Sequence, residues 1–165
     1  MIHSIDIIHA DIAARNILLV RKADGQLAAH LTDFGLSANN YSSVDLAKAK
    51  PWRSSAPEAW LMPARWAKQS DVFSFGCLML ELISLDKPFP TTVQQPGSGE
   101  AVRALLRRIS ELHPLPAAQP ALRRIVQRCW TFEAAERPTM GEVLNELYAL
   151  RPKQALEDLH DDPDM

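Results

Sequence analysis

The chain has little cysteine, little glycine and little net charge. Among its 165 residues, Cys77 and Cys129 are the only cysteines. A pair excludes a multi-disulfide framework, and its spacing supports no zinc site. Each lies in an apolar, helix-like run, which predicts two buried thiols in a reducing compartment. The six glycines, at 25, 35, 76, 97, 99 and 141, are too scattered to form a loop that covers phosphates. A formal charge of -2 gives no reason to expect nucleic acid or an anionic membrane as a partner. Long apolar runs are missing as well. The most apolar stretch, 72–85, is too short to cross a bilayer and carries Glu81. The opening residues, Met1-Ile2-His3-Ser4-Ile5-Asp6, have neither the basic start nor the apolar stretch of a signal peptide. The expected compartment is therefore the cytoplasm, with no membrane segment in the chain.

What is present is enough for one domain. Apolar residues make up 47% of the sequence, which argues against disorder. A domain of this length buries roughly 70% of its unfolded surface. Residues 2–8 read as the end of a helix running into a short strand. Residues 16–20 read as a second strand, Asp24-Gly25 as a tight turn, and 27–32 as the return strand. The segment 37–50 is polar and reads as a loop. Ser70-Asp71 reads as a helix start, and the helix over 71–84 is apolar nearly all round, so it should be buried centrally. Amphipathic helices are expected over 101–112, 120–130 and 139–150, where apolar positions recur at three and four residues. Residues 151–165 form an acidic tail, expected to be disordered. The expected fold class is mainly α: helices around a buried central helix, with a small β-hairpin near the start.

The chemistry concentrates in His9-Ala10-Asp11-Ile12-Ala13-Ala14-Arg15-Asn16, followed by Asp33-Phe34-Gly35. An Asp five residues before an Asn, with a second Asp on a later turn, is a residue set suited to phosphoryl transfer from ATP. One carboxylate accepts the proton of an attacking hydroxyl. The Asn and the second carboxylate hold magnesium between the phosphates. The hairpin sets Asn16 and Asp33 at neighbouring strand ends, within reach of one ion.

These motifs resemble the catalytic and magnesium loops of protein kinases, and Asp-x-Ala-Ala-Arg-Asn is closest to the tyrosine kinase branch. Further segments carry the same resemblance: Ala56-Pro57-Glu58, Asp71 within Ser70-Asp71-Val72, Cys129-Trp130, and Arg137 in Glu136-Arg137-Pro138. Together they cover residues 1–150, which the resemblance identifies as the large, C-terminal lobe of a kinase domain. It implies roles for single residues. Asp11 orients the hydroxyl and takes its proton, and Arg15 neutralises charge on the transferred group. Asn16 and Asp33 bind magnesium, and Leu18 forms the floor under adenine; the plain alternative for Leu18 is a core residue. Phe34 would pack under Asp33. Glu58 and Arg137 would form a buried pair, and Asp71 would hold the backbone of the catalytic loop. The implied cofactors are ATP and Mg2+, and the implied partner is a protein or peptide substrate. Pro51 and Arg53 favour a tyrosine acceptor, whereas Ser54 stands where tyrosine kinases usually carry Trp, so a serine or threonine acceptor is the alternative.

Two departures matter. Ala10 replaces the Arg that binds a phosphorylated activation loop, so phosphorylation at Tyr41, Ser42 or Ser43 is not expected to act through that route. The features of a small lobe, namely a Gly-rich loop, a strand Lys and a helix Glu, do not occur in the sequence. The chain alone is thus expected to bind ATP poorly, to be inactive or nearly so, and to expose an apolar cleft floor. Other readings remain: a pseudokinase or docking module that binds proteins without catalysis, and an unrelated helical domain.

Overall fold

The computed structural model describes residues 2–39, 52–60, 66–87, 89, 93–112 and 120–150. A 3-10 turn at Ile2–Ile5 leads into strand β1 (Ile7–Ile8). A second turn, Ala14–Asn16, leads into the hairpin β2 (Ile17–Arg21) and β3 (Leu27–Leu31). Gly25 sits in the hairpin turn at φ 88°, a conformation that Gly adopts without steric cost. The hairpin is antiparallel with Ile17 opposite Leu31 and Arg21 opposite Leu27. After a 3-10 turn at Phe34–Leu36, strand β4 (Ala38–Asn39) returns to pair with β1, Ile7 opposite Asn39. Part of the segment expected as loop is therefore strand. Residues 40–50, with Tyr41, Ser42 and Ser43, lie outside the described residues, as do Pro51 and the acidic tail 151–165.

The remaining elements are helices: α1 (Pro57–Trp60), α2 (Lys68–Ser84), α3 (Gly99–Leu112), α4 (Pro120–Cys129) and α5 (Met140–Ala149). Helix α1 opens on Pro57, whose fixed φ and missing N–H suit a first helical position. Helix α2 starts three residues before the expected Asp71, on Ala67 as its cap. Ser70 is not the cap; its hydroxyl accepts from the Ala67 amide at 3.1 Å from inside the first turn. The helix ends at Leu85, in the left-handed region at φ 56°.

Helix α2 is the central element, as its composition predicts. On one side Phe73, Cys77 and Leu80 pack with Val126 and Trp130. On another, Val72 packs with Ile125, Cys129 and Val143, joining α2 to α4 and α5. Burying one such side chain stabilises the fold by about 1.5–3 kcal/mol. Gly76 lets α4 approach: a Cβ there would lie 2.7 Å from that of Cys129 and 2.9 Å from the Trp130 ring. Both cysteines are free and buried, and burial pushes each thiol up from 9.0 to about 12. Helix α5 begins with a reciprocal cap. Thr139 Oγ1 accepts from the Glu142 amide at 3.2 Å, and the Glu142 carboxylate accepts from the Thr139 amide at 2.7 Å. The Thr139 amide, together with the Thr139 hydroxyl donating to the same carboxylate at 2.9 Å, holds the Glu142 carboxyl below the usual carboxylate range.

Candidate active site

The loop His9–Asn16 is fixed from below by Asp71, on the first turn of α2. Its carboxylate is fully buried. It accepts from the backbone N–H of His9 at 2.7 Å and of Ala10 at 2.8 Å, and from the His3 ring at 2.9 Å. Adjacent amides that converge on one carboxylate bend the chain, and Ala10 accordingly sits at φ 65°. Its methyl packs with Ile8, Leu36 and Trp66.

Asp11 follows that bend. Arg15, one helical turn on, pairs with Asp11 Oδ1, and half of the Arg15 side chain faces solvent. Asn16 is buried, and its Nδ2 donates to the Asp11 carbonyl at 2.8 Å and to Asp11 Oδ2 at 2.9 Å. Both amide protons are thereby committed, which leaves Asn16 Oδ1 as the atom with acceptor capacity to spare. The backbone of Asn16 is held equally firmly: its carbonyl accepts from Thr32 N at 2.9 Å and from Thr32 Oγ1 at 3.0 Å. Asp33 comes next in the chain. The structure thus brings Asp11, Arg15, Asn16 and Asp33 to one end of the hairpin.

Asp33 is exposed and left-handed at φ 63°, with its Oδ1 accepting from Gly35 N at 3.3 Å. Among the described residues, no hydrogen bond reaches the second oxygen of its carboxylate. Asn16 Oδ1 and this oxygen are hard donors of the kind that suits magnesium, which keeps most of its ligands as water and phosphate. Among the described residues no group of three or more His, Cys, Asp or Glu could hold a metal ion.

Phe34 packs edge-on against the His9 ring, centroids 4.8 Å apart. Leu18 lies on β2 with 55% of its surface exposed, so it is not a core residue. Leu19, Val20 and Leu27 on the same hairpin are exposed too, which leaves this apolar ribbon open on both sides.

His9 has a part that the sequence reading missed. Its ring is fully buried; Nδ1 accepts from Asp11 N at 3.3 Å, and Nε2 meets Thr32 O at 3.0 Å. Because Nδ1 accepts, the proton sits on Nε2 and donates to that carbonyl. His9 therefore links the Asp11 loop to the strand that delivers Asp33. Its place two residues before Asp11 was the only signal available.

Below the site, Glu58 and Arg137 form the expected pair. Arg137 Nη1 donates to Glu58 Oε1 at 2.6 Å and Nη2 to Oε2 at 2.9 Å. Its other donors reach the carbonyls of Thr131 at 2.7 Å and of Gln69 and Phe132 at 2.9 Å. Arg53, expected on the substrate platform, donates to the Val93 carbonyl at 2.8 Å and stacks over Trp52.

A helical lobe built around one buried helix, with such a loop and hairpin at its edge, is the large lobe of a protein kinase. Residues 1–147 match the model of the protein tyrosine and serine/threonine kinase family, and the chain belongs to that family. It is 33% identical over 156 residues to tyrosine-protein kinase csk-1 of Caenorhabditis elegans, across 91% of this chain and 26% of that protein. It is also 33% identical over 150 residues to the tyrosine-protein kinase transforming protein Fps of avian sarcoma virus (strain PRCII), across 88% and 26%. To mitogen-activated protein kinase kinase kinase 11 of Rattus norvegicus it is 30% identical over 151 residues, across 88% and 17%. The chain spans about a quarter of the first two relatives and less of the third. No helix among the described residues is long and apolar enough to cross a membrane.

Proposed function

We propose that this chain is the large lobe, residues 1–150, of a kinase domain that transfers the γ-phosphoryl of ATP to a protein hydroxyl, with tyrosine as acceptor. The observation that carries the reading is the bonding around Asp11. Asn16 and Arg15 both hold its carboxylate, and Asn16 is tied through Thr32 to the strand end that bears Asp33. Asp11 thereby faces the acceptor in a fixed orientation and takes its proton late in transfer, when the hydroxyl has become acidic. Arg15 offsets charge on the group in flight. Asn16 Oδ1 and the Asp33 carboxylate are the groups that would hold magnesium, which when bound supplies charge neutralisation at the phosphates. Leu18, exposed on β2, offers an apolar surface for adenine.

The tyrosine assignment rests on Arg15, on Pro51 and Arg53, and on two relatives named as tyrosine kinases. The third relative is named as a mitogen-activated protein kinase kinase kinase, which keeps serine or threonine as the alternative acceptor. The complete polypeptide bearing this lobe is the protein to assay, with ATP, magnesium and a tyrosine-containing copolymer. Transfer should fall by at least about a hundredfold on Asp11→Asn, the size typical of a lost general base, while nucleotide binding persists. Retained transfer would refute the role of Asp11. A product holding phosphoserine alone would refute the tyrosine assignment.

A docking role without catalysis is the second reading. Ala10, in place of the Arg that reads a phosphorylated loop, favours it: this methyl is buried among Ile8, Leu36 and Trp66 and offers no anion contact. Nucleotide binding that ignores magnesium would support it.

A further inference from the structure

We propose that the groove between α3 and α4 docks an acidic peptide segment of a partner protein, anchored by one aromatic or apolar side chain. The groove encloses about 370 Å³ and is lined by Leu106, Trp130 and Phe132 with Arg103, Arg107 and Gln127. That volume admits an aromatic side chain with part of its backbone. The lining holds two guanidinium groups and an amide over an apolar floor, with no carboxylate among the described lining residues.

The two arginines differ in a way that suits a peptide. Arg103 is fixed: its guanidinium lies 3.9 Å from the Phe132 ring centroid, and Nη2 donates to Glu133 at 2.5 Å. Among the described residues Arg107 gives only its Nε, to the Arg103 carbonyl at 3.4 Å, which leaves its terminal nitrogens for a ligand. The neighbouring wall adds to the field. Helix α4 carries Arg123, Arg124 and Arg128 and no acidic residue. Arg128 is engaged with Glu146, whereas no ion pair joins Arg123 or Arg124 among the described residues. The whole chain has a formal charge of -2, so this positive charge is a local concentration. A basic rim over an apolar floor is complementary to a peptide that alternates acidic and apolar residues. No residue of the Asp11 loop or the hairpin lines the groove, so the inference goes beyond phosphoryl transfer and stands or falls apart from it.

The test is fluorescence anisotropy with the full chain and a labelled peptide of alternating Glu and Phe, against a peptide of alternating Lys and Phe. The expected result is saturable binding of the acidic peptide alone, weakening as salt rises. Arg107→Glu should weaken it about fivefold, the upper end for one exposed ion pair, because the reversal also adds repulsion. Arg107 is exposed, so folding should survive; if circular dichroism shows otherwise, Arg107→Gln gives the same comparison. Equal binding of the two peptides, or unchanged affinity in the Arg107 variant, would overturn the proposal. The triple variant Asp161→Asn, Asp162→Asn, Asp164→Asn should leave affinity unchanged. A several-fold gain there would make this chain's own acidic end the occupant and would overturn the assignment to a partner.

Discussion

Glu58→Gln removes one charge and keeps the shape of the side chain, so it isolates what the carboxylate does for Arg137. The Arg137 side chain is fully buried, and its five N–H donors all have acceptors, two of them on Glu58. The amide offers one oxygen in place of two, so one guanidinium N–H would face another donor. The buried positive charge would also lose its counterion, and the Ser70 hydroxyl, which donates to Glu58 Oε1 at 2.9 Å, would be disturbed. Breaking a buried pair from one side costs about 3–5 kcal/mol. Glu58 keeps 22% side-chain exposure and the amide keeps one acceptor, so the lower end of that range applies. For a domain of this size about 3 kcal/mol lowers Tm by roughly 6–12 °C. Guanidinium denaturation followed by circular dichroism reads it directly, as a lower midpoint with an unchanged slope. A loss under about 1 kcal/mol would put the pair in the range of exposed ion pairs and refute the reasoning.

Four other outcomes follow from the packing and the caps. Gly76→Ala should destabilise by about 1–3 kcal/mol, because its Cβ would meet the Cys129 Cβ and the Trp130 ring; a melting point equal to the parent's would count against this close approach. Cys77 and Cys129 should resist a thiol reagent at pH 8 until the protein unfolds. Their raised pKa means the folded state binds more protons than the unfolded state between pH 9.0 and about 12, so stability should be complete below that window and decline as pH rises through it. Thr139→Ala, which deletes the cap of α5, should cost about 1 kcal/mol, checked in the same denaturation experiment.

The parts of the fold legible in the sequence are those set by local chemistry. Asp24-Gly25 announces the hairpin because the turn needs a positive φ that Gly provides. The apolar run over α2 announces a central helix because nothing on its surface could face water at length. The start of α2 was misplaced because Ser70 looks like a cap, whereas its hydroxyl works backwards from inside the turn. Strand β4 was missed because two residues carry no periodicity, and their pairing partner lies some thirty residues earlier. Asp11, Asn16 and Asp33 were readable as candidate site residues by type and spacing. The bonds around them were not: His9 closes the loop onto Thr32 through contacts that only the folded chain creates.

The pairing of Ile17 with Leu31 does more than join two strands. It makes the distance between Asn16 and Asp33 depend on a turn at the far end of the ribbon. A residue inserted between Arg21 and Leu27 would be absorbed either as a bulge or as a slip. A slip would carry Thr32 out of step with Asn16 and turn Leu31 outward. The turn at Gly25 thus acts as a length gauge for the two groups proposed to hold magnesium, although it touches neither.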